Sequence, residues 1–165
     1  MECMMEVTNY TSEELLKIAG GVMVSGMAVA MVDMGIVSTA IEATAMSKEI
    51  AGAAKKYPNN AIIQALFSEE AIKKAKADKP DPIAIKPEEM KPETAIATAT
   101  TKINEALAIL NQKATPEDVQ QYKEFIYACA DRVANAAGSG LFGSGVKVSE
   151  KEAAALASLK GVLGV

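Results

Sequence analysis

Between Ile18 and Val32 the chain carries no charged residue, and its apolar side chains fall at every offset instead of along one stripe. A helix that is apolar all round has to be enclosed, either inside its own bundle or at a subunit interface. Composition says what encloses it. Half of the residues are apolar but only 4% are aromatic and none is Trp, so Ala, Ile, Leu, Val and Met must fill the core. Alanine is the best helix former and is depleted in strands, so the surrounding elements are expected to be helices as well. The run is interrupted by Gly20, Gly21, Ser25 and Gly26 and ends at Asp33. Counted from Ile18 it is shorter than the roughly 18–20 apolar residues that span a bilayer, which points to a buried central helix rather than a membrane segment.

Capping signals divide the rest. Thr11 with Glu14, Thr39 with Glu42 and Ser149 with Glu152 have the spacing of reciprocal capping boxes. The first opens the helix that runs to about Val32. The second opens one that must stop before Pro58, because the residue preceding proline avoids the α region. Asn59-Asn60 can start a third helix from Ala61 to about Ala77, with a break at Ser68. Pro92 suits the first turn of a fourth that runs to about Lys113, and Thr115-Pro116-Glu117-Asp118 starts a fifth that reaches about Ala137. The last runs from Ser149 to near Val162. Residues 1–10 read as a flexible tail, and 11–165 as a single helical domain with a proline-rich surface linker at 78–92.

Periodicity supports helix-on-helix packing. Val119, Tyr122, Ile126, Cys129, Val133 and Ala136 recur at alternating spacings of three and four, as do Ile96, Ala99, Ile103, Ala106 and Leu110. The second helix repeats the pattern with Ala43, Met46, Ile50, Ala53 and Tyr57. No stretch alternates at period two. The expected fold is all-α, a helical bundle of about five or six helices with essentially no sheet.

The absence of histidine removes most metal and acid–base chemistry. A carboxylate-bridged di-iron bundle, a His-containing zinc site and a His-based triad cannot be assembled. Cys3 and Cys129 are isolated and make neither a thiolate zinc site nor a disulfide framework, which fits a reducing, cytoplasmic compartment. With a net charge of −4 and Arg132 as the sole arginine, the chain lacks the basic and aromatic surfaces that hold nucleic acid. No catalytic, cofactor-binding or metal-ligating residue is assigned.

Gly138-Ser139-Gly140-Leu141-Phe142-Gly143 spells a dinucleotide fingerprint, but a helix precedes it and the next helix starts only at Ser149. The fingerprint works where a strand leads in and a helix opens within the glycines. It reads here as a helix stop followed by a loop that tucks Leu141 and Phe142 onto the core. Met23, Met27 and Met31, four residues apart, allow a soft-metal site in principle and read as packing or an adaptable contact surface. Gly21-x-x-x-Ser25 and Gly26-x-x-x-Ala30 let another helix approach closely. Cys129 lies on an apolar stripe and reads as an inert core thiol. Arg132 is expected to flank the seam and cover it with its stem.

The segments Ala114-Thr115-Pro116-Glu117-Asp118, Tyr122-Lys123-Glu124-Phe125, Ala128 to Ala137, Gly140 to Gly145 and Val148-Ser149-Glu150-Lys151-Glu152, with the Tyr57-Pro58-Asn59-Asn60 break, resemble a widespread family of small prokaryotic helical proteins of unassigned function. The resemblance implies the same helical fold and a cytoplasmic location, and brings no reaction or ligand. A fainter one is to tellurite-resistance helical proteins, in which a loop before a Ser/Thr-capped helix carries acidic metal-binding residues; this sequence has glycines and Leu-Phe there.

Three functions remain. The first is a non-enzymatic structural or protein-interaction protein, with a homo-oligomer through the first helix and no nucleic-acid or membrane partner. The second is a carrier of a small apolar ligand in a cavity between alanine-rich helices. The third is a carboxylate-based enzyme, with Glu42, Glu49, Tyr57 and Tyr122 as its parts. An enclosed apolar cavity would favour the second, and converging buried carboxylates the third.

Overall fold

The computed structural model describes residues 7–32, 38–79, 86–137 and 148–165. Among them are seven α-helices: α1 (Ser12–Val32), α2 (Ser38–Lys56), α3 (Ala61–Phe67), α4 (Glu69–Asp78), α5 (Ala95–Lys113), α6 (Pro116–Ala137) and α7 (Glu150–Leu163), with a 3-10 turn at Pro87–Met90 and no strand. The protein is all-α. Seven helices rather than five or six arise because the Ser68 break is complete. The Ser68 N–H donates to the Gln64 carbonyl at 3.2 Å, ending α3, while its Oγ accepts from the Ala71 N–H at 3.3 Å, starting α4.

The central element is α1. It packs most extensively on α5 and α6, and also touches α7 and α2. Ile18, Val22, Val24, Ser25, Ala28 and Val29 are wholly enclosed, as the all-round apolar pattern requires. Contrary to the expectation from Ile18–Val32 alone, α1 as a whole is long and apolar enough to cross a membrane, because Leu15 and Leu16 extend the apolar stretch. Half of its most apolar window is buried within the bundle. The small residues do admit close neighbours. A Cβ on Gly21 would meet the Tyr122 hydroxyl at 2.6 Å, and one on Gly26 would meet Met46 Sδ at 2.5 Å and Val133 Cγ2 at 3.1 Å.

The caps follow the sequence closely. Thr11 N–H donates to Glu14 at 2.8 Å and Glu14 N–H to Thr11 Oγ1 at 3.2 Å. Ser149 and Glu152 exchange the same pair at 2.8 and 3.2 Å. Asp118 N–H donates to Thr115 Oγ1 at 3.1 Å, and Gly164 ends α7 with φ +68°. α2 takes in Ser38, which puts Thr39 inside the helix; the side chains of Thr39 and Glu42 lie outside the described residues.

Two expectations need correcting. Pro92 does not open α5; residues 91–94 form a turn, and Thr94 is the N-cap. The Thr94 and Thr98 hydroxyls donate to the Glu89 carbonyl at 3.0 and 2.7 Å, tying the 3-10 turn to α5. Residues 7–10 are also more than a tail. Tyr10 is a core residue, and the Lys113 ammonium lies 5.3 Å over its ring while donating to the Asn9 carbonyl at 2.8 Å and to Glu14 at 2.7 Å. Residues 1–6 lie outside the described residues, as do Gly138–Gly145 with the dinucleotide-like glycines and residues 80–85 of the proline linker.

Candidate functional site

α3 and α4 form a bent arm whose seating creates a concavity against α1. Asn60, fully buried, caps α3 by accepting from the Ile63 N–H at 3.0 Å and donates to the Asp118 carbonyl at 3.1 Å and Gln121 Oε1 at 3.2 Å on α6. Gln64 donates to the Ala54 and Tyr57 carbonyls at 2.6 and 3.1 Å, so it satisfies acceptors that the end of α2 leaves open. Phe67 packs edge-on against Phe125 at 5.2 Å between ring centroids. These contacts fix α3. The turn at Ser68 then redirects α4, which has no buried residue, and its Ala71, Ile72 and Ala75 face α1 across a gap.

That gap is a groove of about 560 Å³, within the few hundred to a thousand Å³ of ordinary binding sites. One wall is the face of α1 formed by Leu15, Leu16, Ala19 and Met23. The floor is Ile50, Leu66 and Phe67, and the other wall is α4, with Lys74, Lys76 and Asp78 at its edge. The groove is open to solvent along one side. Beyond Met23, one turn further along α1, stands Met27, the only large apolar side chain among the described residues that is plainly exposed. Part of the methionine stripe is therefore surface, while Met46 packs against Gly26 in the core.

Of the residues considered for acid–base chemistry, Glu49 acts electrostatically on Tyr57, while Glu49 and Tyr122 each have a partner of their own. Glu49 pairs with Arg132 at 3.2 Å, so Arg132 is an ion-pair partner more than a cover for the seam. Tyr122 is fully buried and donates to the Ile18 carbonyl at 2.6 Å; burial pushes its phenol far above the ordinary range. Tyr57 is raised by burial too, with the Lys56 ammonium beside it opposing the shift. The side chain of Glu42 lies outside the described residues. Cys129 is buried, and its thiol is pushed well up by burial with a smaller contribution from Glu49, which disfavours the nucleophilic thiolate. Among the described residues no three His, Cys, Asp or Glu side chains cluster so as to hold a metal ion.

Comparison with known proteins yields no matching family model, no matching curated protein and no matching solved structure. The groove went unseen in the sequence because its lining is drawn from four helices. Its one local signal is that Leu15, Leu16, Ala19, Met23 and Met27 continue on a face of α1 already supplied with neighbours elsewhere.

Proposed function

We propose that this protein is a non-enzymatic interaction protein that receives an amphipathic helix of a partner in the groove between α1 and α4. The observation that carries this reading is the continuity of the apolar surface from Leu15 through Met23 to Met27. Ser12 to Met27 spans roughly 22 Å at about 1.5 Å per residue, enough for about four turns of a docked helix. An enclosed cavity would cover more of a small apolar ligand than this groove, which is open along one side, can. Flexible methionines at the edge of such a groove adapt to a partner's side chains, as in other helix-in-groove recognition.

A cytoplasmic location belongs to the same proposal. It rests on the free, buried thiol of Cys129 and on the use of α1 as a core element, since withdrawing α1 into a bilayer would dismantle the core. Homo-oligomerisation through α1 is the variant in which the docked helix comes from a second copy.

The test is an NMR titration of the labelled protein with a synthetic amphipathic helix of about four turns carrying Leu at i, i+4, i+7 and i+11. Shift changes confined to the groove-lining residues of α1, α2, α3 and α4, and abolished by Met23→Glu at unchanged melting temperature, are expected. Binding that ignores Met23→Glu, or no binding, removes the reading.

A further inference from the structure

We infer that the helix received by the groove is acidic on its polar face, an inference that rests on the helix-in-groove reading above. Charge at the rim carries it. The protein is negative overall, at −4, yet residues 73–79 hold Lys73, Lys74, Lys76 and Lys79 against Asp78 alone. Lys74 and Lys76 line the groove, and neither forms an ion pair with any described residue.

Among the acidic residues near the groove, Asp78 shares the rim with Lys74 and Lys76, while the others pair with lysines away from it or stand in the first turn of α4. Glu13 pairs with Lys17 at 3.0 Å, and Glu14 with Lys113 at 2.7 Å. Glu69 and Glu70 stand in the first turn of α4, at its other end, with Glu69 3.9 Å from Lys55. Lysines in the last turns of a helix offset its own negative end, but that end carries only about half an elementary charge. With Asp78 at the same rim, a smaller net positive charge therefore remains beside the apolar trough. Carboxylates on the outer edge of a docked helix would meet Lys74 and Lys76 while its apolar face covered Ala19 and Met23. A basic helix would be repelled at the same place, so the rim selects among amphipathic helices by charge.

Two fluorescently labelled synthetic helices of about four turns separate the alternatives, identical on the Leu face and bearing either Glu or Lys on the polar face. By anisotropy at low salt, the Glu helix is expected to bind at least about tenfold more tightly than the Lys helix. The difference should shrink as salt screens it, and it should reverse in the Lys74→Glu/Lys76→Glu variant. Equal binding of both helices overturns the charge selectivity but leaves the groove reading standing. Binding of neither removes the groove reading itself. Sedimentation of the unliganded protein supplies a separate check: a dimer dissociated by Met23→Glu would make the occupant a second copy and overturn the acidic partner. A native mass spectrum showing a retained lipid displaced by the Glu helix would overturn it in favour of an amphiphile.

Discussion

The hydroxyl of Tyr122 on α6 stands 2.6 Å from where a Cβ on Gly21 of α1 would lie, and that hydroxyl donates to the Ile18 carbonyl at 2.6 Å. The two residues are thus fitted to one another: the glycine leaves the space, and the phenol fills it and finds an acceptor on the same helix. Buried hydroxyls need such a partner, because leaving one unmade costs about 1–3 kcal/mol. Ser25 makes the neighbouring contact, donating to the Val22 carbonyl at 2.7 Å with the Ile126 carbonyl of α6 at 3.4 Å.

Gly21→Ala should destabilise the protein by about 1–3 kcal/mol, even though Ala is favoured over Gly in a helix by roughly 1 kcal/mol. Tyr122→Phe should cost about 0.5–1.5 kcal/mol through the lost hydrogen bond. Combining them should cost less than their sum, since the phenylalanine variant no longer has the atom that the methyl meets. Ala106 Cβ at 3.2 Å keeps the site tight in either background. Urea denaturation of the four proteins checks this; strict additivity would show that the hydroxyl and the glycine do not constrain one another.

Gly26 should distinguish size from propensity. The Met46 thioether that a Cβ would meet at 2.5 Å is the far part of a flexible side chain, whereas Val133 Cγ2 at 3.1 Å is less free to move. Gly26→Ala should therefore be nearly neutral, with Met46 shifting aside. Gly26→Leu should overpack the α1–α2–α6 junction and cost about 1–3 kcal/mol or more. Lys55→Ala, at a side chain 82% exposed, should change little. A higher melting temperature for Gly26→Leu would mean that α1 is not enclosed there.

Much of this architecture is legible in sequence because local chemistry determines it. Thr11, Thr115 and Ser149 each cap the helix expected of them, using side-chain bonds to amides three residues away. The enclosure of α1 against α5 and α6 follows from its apolar residues, while its Leu15-to-Met27 face stays open to the groove. What the sequence hides is set by contacts that reach beyond a helix's own turns. Pro92 looks like a helix start, but the Thr94 hydroxyl has carbonyl acceptors on Glu88 and Glu89 and holds a turn in place. Tyr122 could be read as a catalytic phenol until its partner on Ile18 is seen, 104 residues away in the chain. The groove depends on the angle at Ser68, and periodicity within a helix contains no information about the angle between two of them.

Asn60 should be the most sensitive polar position. Its amide joins α3 to α6 with three hydrogen bonds in a fully buried site. Asn60→Ala should cost about 1–3 kcal/mol, because it removes the cap and leaves the Ile63 N–H without its acceptor. Asn60→Asp keeps the capping oxygen but turns a carboxylate toward the Asp118 carbonyl and Gln121 Oε1, and should be at least as damaging near neutral pH. Recovery of Asn60→Asp on mild acidification, followed by chemical denaturation, would mark protonation of that carboxyl. If Asn60→Asp matched the parent protein, the two donated bonds would contribute nothing.

Glu14 gives the stability of the fold a defined response to acid. Its pKa is lowered from 4.5, first by the hydrogen bond from the Lys113 ammonium, then by the Thr11 amide. A carboxyl with a folded pKa below its unfolded value contributes stability that is fully present above the unfolded value and is lost as pH falls through the folded one. Glu14→Gln keeps an oxygen that can accept from the Thr11 amide and removes only the charge. The parent should therefore melt higher than Glu14→Gln at neutral pH, and the gap should close as pH falls from the unfolded value through the lower folded one and the parent's carboxyl protonates. Because the Lys113 and Glu14 side chains are about a quarter exposed, at 27% and 25%, salt should narrow the neutral-pH gap as well. Thermal melts of both proteins from neutral to acid pH, at low and high salt, provide the measurement. A gap that persists unchanged into acid would show that the substitution acts through packing or the cap, and that the Lys113 contact does not stabilise the junction of α1 with α5 by its charge.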